Sequence, residues 1–388
     1  MFGKDIGMKR IKTVALSGIG GYGMIYGTAF LEECEKRGLE FTGCIDPYAE
    51  KCSYINQLRD KNIPIYESME DFYKEQEADL MCIATPIHLH ESQTLYALQH
   101  GSHVLCEKPL CATMDEAHRM LDAQNGSSLQ VAIGYQYSFN PGIQAIKADI
   151  MKGRYGQPLL FKDITLGPRD SIYYQRGWAG RIKAGDNYVY DSVANNACAH
   201  YLHNLFYLAG KTMNTSALPT SHETELYRAN KIENFDTITT RIQTDCGIPL
   251  YFAASHAIDR LQQPYFELEF ENAVIKCNMV TRKVEIFAGG KNYEGSLAPD
   301  PKEREKIWAV IETINSGKPV ACGIETAMSH TRFINMIQSE VEIRNFEEGR
   351  ILKKQKQNPS SVITYVDGLY DRLQTCFEKA VLLSESEG

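Results

Sequence analysis

A glycine-rich loop placed directly after a short apolar run most constrains what this chain can fold into. TVALS (13–17) has the apolar character of a buried parallel strand, and GIGGYG follows it with glycines spaced G-x-G-x-x-G at Gly18, Gly20 and Gly23. A helical pattern comes next, and a second strand, FTGCID, ends in Asp46. Such a loop brings backbone N–H groups close to a pyrophosphate, and the acid can accept hydrogen bonds from an adenosine ribose. This order predicts a dinucleotide-binding Rossmann unit, with a plain structural turn as the alternative.

The acid that ends the second strand also bears on the choice of cofactor. A carboxylate at position 46 repels a 2′-phosphate, and no arginine follows directly, because the next two residues are Pro47 and Tyr48. We therefore expect NAD, with NADP disfavoured. The loop residues expected to contact the cofactor are Gly18, Gly20, Gly21, Tyr22 and Gly23.

Strands and helices continue to alternate up to about residue 141, and polar residues collect where the strands end. DLMCIATP (79–86), HVLCEKP (103–109) and LQVAIGYQYSFNP (129–141) are strand-like runs separated by helical segments. Ligands of open α/β sheets bind at the carboxyl ends of the strands. Six polar residues fall at these ends: Thr85, His88, His90, Glu107, Lys108 and Gln136.

The second half of the chain has a different pattern. Strand-like runs, several with period-two alternation, follow one another with few helices between them, which predicts an antiparallel sheet. These runs are 159–166, 236–244, 250–258, 265–278 and 283–290, and helical patterns cover 306–317, 327–341 and 365–385. The predicted fold class is α/β plus α+β. A Rossmann domain spans 1–145, and a domain with an open, mainly antiparallel sheet spans 146–388, its C-terminal helices free to pack back on the first domain.

Composition and charge exclude several classes of partner. The 388 residues carry a formal net charge of −8 with no basic run, so neither nucleic acid nor an anionic membrane is an expected partner. No apolar stretch approaches the roughly 18 residues of a membrane span, and the N-terminal sequence lacks the apolar core of a signal peptide. The eleven cysteines include no C-x-x-C pair. We therefore expect a reduced, cytoplasmic protein.

Two histidines three residues apart lie in DSVANNACAHYLHNLFYLAG (191–210), which has helical spacing with Asp191 or Ser192 as its N-cap. On a helix, one polar stripe comprises Asn196, His200, His203 and Asn204. Such a stripe typically lines a solvated pocket or a polar interface. A metal pair, two core histidines and a proton-transfer group are the competing interpretations. No nearby Cys, Glu or Asp completes a ligand set, so no metal is expected.

Five motifs in this order resemble those of the glucose–fructose oxidoreductase / inositol dehydrogenase / MocA (Gfo/Idh/MocA) family: GIGGYG, CIDP, IATPIHLHES, HVLCEKPL and GYQYSFNPGIQ. The resemblance is dense over residues 11–150, and EKP after a buried strand is its most specific element. It implies hydride transfer between a carbon of a sugar or polyol and a nicotinamide cofactor. It also implies an open sheet in the second domain. Because an exposed apolar sheet face needs a cover, we expect a homodimer or homotetramer through that domain.

The resemblance assigns roles to residues in the first half. It implies that Lys108 is the catalytic lysine and that Glu107 lies by the nicotinamide ribose. Thr85, Pro86 and His90 match the family's T-P-x-x-x-H run along the cofactor. A lysine at a strand end can also stabilise developing alkoxide charge on a substrate. The alternative for Lys108 is a solvated surface lysine paired to Glu107.

In the second half the family's D-x-x-x-H motif falls on the histidine helix. The resemblance makes His200 the proton-transfer group and places Asn196 where the family has an aspartate. This departure matters, since an asparagine can orient an imidazole but cannot stabilise its charged form as a carboxylate would. Asp191 or a substrate group would have to compensate. His203 is then an orienting or substrate-binding neighbour.

The segment before this helix, 167–191, is rich in aromatic and basic residues. Aromatic faces stack on sugar rings, and arginines bind hydroxyls or carboxylates, so Arg169 is expected to bind substrate, as is Gln136 in the first half. A surface loop pinned by Trp178 is the alternative. Two other functions stay open beside the oxidoreductase. These are an NAD-dependent glycoside hydrolase that oxidises its sugar transiently, and a non-catalytic NAD(P)-binding sensor.

Overall fold

The computed structural model describes residues 10–300, 302–356 and 361–386. Up to residue 139, strands and helices alternate as the apolar runs predict. The elements are β1 (Thr13–Ser17), α1 (Gly23–Glu33), β2 (Glu40–Ile45), α2 (Ile55–Asp60), β3 (Ile65–Tyr66), α3 (Met69–Glu75), β4 (Leu80–Ile83), α4 (His90–Gln99), β5 (His103–Cys106), α5 (Met114–Asn125) and β6 (Val131–Ile133).

These six strands form one parallel sheet in the order β3-β2-β1-β4-β5-β6. The predicted Rossmann topology is confirmed. Strands β4 and β5 are buried along their whole length, because both faces of the sheet are covered. The strand order reverses between β1 and β4, and the crevice at the carboxyl ends of these strands is where such sheets bind ligands.

The second half carries a sheet of nine strands. Its elements begin with α6 (Pro141–Met151), β7 (Pro158–Leu166), β8 (Lys183–Ala184), β9 (Asn187–Tyr188), α7 (Ala199–Ala209), β10 (Pro219–Arg228), β11 (Thr237–Thr244), β12 (Leu250–Ser255), β13 (Gln262–Phe270), β14 (Ala273–Asn278), β15 (Lys283–Ala288) and β16 (Lys291–Ser296). They end with α8 (Glu305–Asn315), α9 (Ile324–Glu340), β17 (Ile343–Asn345), β18 (Ile351–Gln355), β19 (Val362–Val366) and α10 (Leu369–Lys379). The sheet order is β16-β15-β14-β13-β7-β12-β11-β10-β17. It is parallel only at β7–β12 and β10–β17, so the mainly antiparallel sheet is confirmed.

Several predicted boundaries differ from the structure, among them the following two. The run 265–278 is two strands, β13 and β14, that pair antiparallel across a two-residue turn. The C-terminal helix begins at Leu369 and not at residue 365, because 362–366 form β19 in a hairpin with β18.

The chain divides into two units that differ from the sequence-based domains. Unit 1 comprises the described residues up to 111, with 115–139 and 300–325, and unit 2 comprises 112–114, 140–299 and the described residues from 326 onward. The first boundary therefore lies near residue 139. Helix α8, which follows eight of the nine strands of this sheet in the chain, belongs to unit 1.

One face of the nine-stranded sheet is covered by the chain's own C-terminus. We call this the outer face. Leu369, Leu373 and Phe377 of α10 pack in a buried cluster with Ile164 of β7 and Tyr251 of β12. An exposed apolar face at the centre of the sheet, from which we expected an oligomer, is therefore absent from the described part of unit 2.

On either side of this cover the outer face is charged. Ion pairs run between adjacent strands, with nitrogen–oxygen distances of 2.5–3.1 Å: Arg241–Glu223, Lys162–Glu267, Lys276–Glu267 and Lys283–Glu294. In the described part of the chain, the outer face is thus covered by α10 or charged at these positions. A homodimer or homotetramer stays a prediction, and the outer face no longer supports it.

The opposite face of β7 contains a buried acid whose titration we expect to limit stability. Asp163 is 1% exposed and accepts one hydrogen bond, from Thr165 Oγ1 at 3.0 Å. Burial raises its pKa to about 8. The folded protein thus holds a proton that the unfolded chain releases near the ordinary pKa of about 3.8. Stability contributed by this proton is present at low pH and is lost as the pH rises toward 8.

Asp163→Asn should therefore flatten the dependence of stability on pH. Between pH 4 and 8, each unit of pH costs the wild type up to about 1.4 kcal/mol that the variant does not lose. We expect the variant to melt at a higher temperature than the wild type above neutral pH, with the gap closing in acid. Calorimetry across this range measures it, with the exposed Asp259→Asn as control. A gap that does not change with pH would contradict the assignment.

Candidate functional site

In unit 1, two positions of the loop between β1 and α1 have no room for a side chain and therefore need glycine. Gly18 has φ +82°, and a Cβ there would lie 2.8 Å from the carbonyl oxygen of Ala84. A Cβ on Gly23 would overlap the carbonyl oxygen of Gly18 at 1.9 Å. Gly20, in contrast, faces open space, with no atom within 4 Å of a Cβ built on it. The loop is therefore tight against β4 on one side and accessible to a pyrophosphate at Gly20.

The acid that ends β2 is held against this loop. Asp46 Oδ2 accepts from the backbone N–H of Ile19 at 3.0 Å, and Oδ1 accepts from that of Tyr48 at 2.8 Å. Two backbone donors fix the direction of the carboxylate. Each oxygen keeps a lone pair for a ribose hydroxyl. Loop and acid thus fit the adenosine half of a nicotinamide dinucleotide.

His90 joins the ends of two neighbouring strands. It is 1% exposed, with Nδ1 2.8 Å from the carbonyl oxygen of Pro109 and Nε2 2.9 Å from that of Thr85. Burial lowers its pKa, so the neutral ring donates to only one carbonyl at a time. His90 ties the turn after β4 to the turn after β5, and cofactor contact by this residue stays a prediction. Burial also lowers the pKa of the half-buried His88.

A buried lysine that sequence reasoning missed organises the end of β5. Lys306, on α8, is 1% exposed and forms an ion pair with Oε1 of Glu107, itself 5% exposed. The same Oε1 accepts from Tyr26 Oη at 2.5 Å, and Oε2 accepts from the backbone N–H of Lys108 at 3.2 Å. The buried carboxylate is therefore neutralised by a helix that lies almost 200 residues further along the chain.

The same lysine reaches two other predicted site residues. Its Nζ donates to Tyr22 Oη at 3.1 Å, and Tyr22 Oη donates to Gln136 Oε1 at 3.4 Å. The ammonium lies 4.6 Å from the centre of the Tyr22 ring. Burial and the charge of Glu107 raise the pKa of Tyr22, so it stays a phenol. Tyr22, Glu107 and Gln136 are thus brought together around Lys306. Lys108, half-buried, begins the turn that follows Glu107.

In unit 2 the predicted histidine helix begins later than expected. Helix α7 starts at Ala199, so Asn196 and the proposed N-caps lie outside it. Short polar side chains in this segment bond to nearby backbone: Asn195 Nδ2 donates to the carbonyls of Val189 and Tyr190, and Ser192 Oγ accepts from the Asn195 N–H. Such local bonds compete with helix formation. They form a series of turns instead.

The asparagine in place of the family aspartate has a carboxylate beside it. Asn196 Nδ2 donates to Asp191 Oδ1 at 2.7 Å and to Tyr173 Oη at 3.3 Å. Asp191 is 2% exposed, and its Oδ2 accepts from the Gly180 N–H at 2.5 Å. A second carboxylate at position 196 would repel that of Asp191, which explains an amide there. An acid is therefore still present next to this position.

The predicted polar stripe separates into exposed and buried parts. His200, on the first turn of α7, is half-buried, whereas His203 and Asn204 are 1% and 2% exposed. Those two residues therefore do not line an open pocket, contrary to expectation. Burial, and next the neighbouring His330, lower the pKa of His203 well below its usual range. His203 is a neutral core histidine, and its contact with substrate stays a prediction.

Comparison with known proteins agrees with the geometry of unit 1. A family profile described as "Oxidoreductase family, NAD-binding Rossmann fold" matches residues 12–135. This match shows that the Rossmann unit is similar to the Gfo/Idh/MocA family. Over 134 residues the chain is 29% identical to 1,5-anhydro-D-fructose reductase of Ensifer adhaerens. This match covers 34% of this chain and 39% of the reductase. The chain matches less than half the length of the first curated relatives.

Solved structures of two dehydrogenases extend the likeness in fold to both units. UDP-N-acetylglucosamine 3-dehydrogenase GnnA from Acidithiobacillus ferrooxidans is 18% identical with a TM-score of 0.70, covering 86% of this chain and 99% of that one. Levoglucosan dehydrogenase in complex with NADH is 17% identical with a TM-score of 0.71, covering 84% and 96%. At these identities the likeness establishes the fold alone.

Further observations concern membranes and thiols. Among the described residues, no helix combines the length and the apolar character that a bilayer crossing requires. Nine of the eleven cysteines are buried.

Proposed function

We propose that this protein is an oxidoreductase that uses NAD to oxidise or reduce a hydroxyl-bearing carbon of a sugar or polyol. The observation that carries the proposal is the arrangement in unit 1. The open Gly20, the fixed Asp46 carboxylate and the Glu107–Lys108 turn follow the carboxyl ends of β1, β2 and β5, three strands of the same parallel sheet. When bound, the nicotinamide supplies the hydride acceptor or donor.

The chain's own residues would hold the substrate and move its proton. Lys108 donates a hydrogen bond to the reacting hydroxyl and stabilises negative charge on its oxygen. His200 accepts the hydroxyl proton in the direction of oxidation and returns it in reduction. The catalytic role proposed for Asn196 is to orient His200, which follows it by four residues, and the Asp191 carboxylate bonded to Asn196 supplies negative charge. The assignment of Lys108 and His200 to one substrate rests on the family resemblance.

Turnover assays separate this proposal from its two alternatives. The full chain is mixed with NAD and a panel of polyols, sugars and aryl glycosides. Steady formation of NADH supports the oxidoreductase. Glycoside cleavage without net NADH would instead establish the hydrolase, and cofactor binding with neither reaction would establish a sensor.

We expect NAD to bind roughly tenfold or more tightly than NADP, about 1.4 kcal/mol. The reason is that two backbone donors hold Asp46 in place, so its carboxylate cannot turn away from a 2′-phosphate. Calorimetry with both cofactors measures the ratio. Asp46→Asn should narrow it, whereas Asp60→Asn, an exposed acid on α2, should leave it unchanged. Equal or tighter binding of NADP to the wild type would refute the cofactor assignment.

A further inference from the structure

Two arginines of unit 2 converge on one tyrosine ring just before the segment that leads into α7. The guanidinium carbon of Arg169 lies 5.0 Å from the centre of the Tyr173 ring, and that of Arg176 lies 3.9 Å from the same centre. Arg176 also lies 4.7 Å from the Trp178 ring. We call Arg169, Tyr173 and Arg176 the arginine–tyrosine cluster. Stacking on an aromatic face holds a guanidinium in place while leaving its N–H donors at the edge.

The cluster carries two positive charges without a matching acid. Within the part of the chain that the structure describes, neither Arg169 nor Arg176 has a carboxylate at ion-pair distance. Arg169 is half-buried, and its Nε, shielded from solvent, has no hydrogen-bond partner among the described residues. A shielded donor left unsatisfied is costly, more so on a charged group. An anion that reaches Arg169 would remove this cost.

The acids of the surrounding segments are used by other donors. Asp170 accepts from Lys356 Nζ at 3.0 Å and from Ser361 Oγ at 2.7 Å. Asp236 is fully buried and accepts from the backbone and side chain of Asn230. Asp191, whose charge acts on Tyr173, accepts from Asn196 Nδ2 and from the Gly180 N–H. Among the described residues none of these three acids forms an ion pair with either arginine, so the positive charge of the cluster stays available to a ligand.

The residue beside the cluster adds no charge to it. His256 is 2% exposed, and its ring lies 5.6 Å from that of Tyr173. Burial, followed by the charges of Arg169 and Arg176, lowers the pKa of His256 well below its usual range. The imidazole of His256 is neutral, because a positive charge on it would be repelled by the two nearby guanidinium groups. The positive charge therefore belongs to the two arginines.

The cluster also borders the segment assigned to catalysis. Tyr173 Oη accepts from Asn196 Nδ2 at 3.3 Å, and Asn196 precedes His200 by four residues. A ligand whose anionic group binds at the cluster would therefore also lie near the segment that contains Asn196.

We propose that the substrate is an anionic sugar, whose carboxylate or phosphate is bound by Arg169 and Arg176. This inference rests on the proposed function, since it names the substrate class of the same site. Arginine binds both groups through paired N–H donors, and the half-buried Arg169 contributes the stronger contact. The neutral part of the sugar then extends toward Asn196 and His200.

The test compares charged and neutral sugars on the full chain with NAD. D-glucuronate and glucose 6-phosphate are the two anionic probes, and D-glucose and myo-inositol are the neutral ones. We expect kcat/KM for at least one anionic probe to exceed that for both neutral probes by roughly tenfold or more. The preferred anion distinguishes a carboxylate site from a phosphate site. Added salt should raise KM for the anion alone.

Arg169→Gln should raise KM for the anionic probe roughly tenfold, by a clearly larger factor than KM for the neutral probes, and leave the Kd for NAD nearly unchanged. Arg181→Gln, an exposed arginine of the same segment, is the matched control and should change neither. A preference for neutral sugars, or equal losses on charged and neutral probes, would overturn the anion site. If no probe turns over, calorimetric titration of glucuronate and glucose 6-phosphate decides. If the anion binds and binding is lost in Arg169→Gln, the anion site stands and the oxidoreductase is rejected. If neither anion binds, the anion site is rejected.

Discussion

His200→Ala should lower turnover of a sugar or polyol by roughly a hundredfold or more and leave NAD affinity nearly unchanged. A positioned general base contributes about 10²–10⁴ in rate, and alanine removes the proton acceptor altogether. The residues expected to hold the cofactor are in unit 1, whereas His200 is on the first turn of α7 in unit 2. Removing its side chain therefore takes nothing from the glycine loop or from Asp46.

Lys108→Ala is the companion variant with a different expected signature. It should lower turnover to a similar extent and also weaken NAD binding, because Lys108 follows directly on Glu107 in the turn after β5. Steady-state kinetics with calorimetric Kd values separates the two patterns. His118→Ala, an exposed histidine of α5, is the control for His200. A His200→Ala enzyme that keeps turnover within about threefold of the wild type would remove that residue from the mechanism.

The Rossmann unit could be predicted closely because its signals are local. A buried strand, a glycine loop and an acid at the next strand end are all within residues 13–46, and their spacing alone implies the geometry that Asp46 adopts. The late start of α7 was harder to predict from the sequence. Its helical periodicity is real, yet side-chain bonds from Asn195 and Asn196 decide where the helix begins.

The cover over the nine-stranded sheet could not be predicted for a different reason. Periodicity identifies an amphipathic helix such as α10 but not the surface on which its apolar side packs. Family resemblance suggested a second subunit, and the structure places Leu373 and Phe377 of the same chain there. The contact joins residues more than a hundred positions apart, and no local signal encodes that.

Lys306 is the site residue that sequence reasoning missed, although one signal for it exists. It stands four residues before Val310 and eight before Ile314, on the buried side of α8, where a lysine is rarely tolerated without a partner. That position indicates a buried ion pair somewhere in the fold. It does not identify Glu107, which precedes it by almost two hundred residues. Only the tertiary structure joins the two.

The second large effect follows from this pair. Lys306→Met should lower the free energy of unfolding by about 3–5 kcal/mol, because it leaves the Glu107 carboxylate buried without its cation. Lys302→Met is the matched control. It removes a lysine four positions earlier whose partner, Glu32, is on the surface, and it should cost less than about 1 kcal/mol.

Adding Glu107→Gln to Lys306→Met should recover most of the lost stability, since the buried charge that made the single variant unstable is then absent. Urea unfolding of the wild type, both single variants and the double variant gives the coupling free energy. NAD affinity gives an independent readout. If Lys306 acts by positioning Glu107 beside the cofactor, the double variant should regain stability without regaining NAD affinity. A double variant as unstable as the sum of the two single changes would mean that the pair is not coupled, and Lys306 would then matter only for the packing of α8.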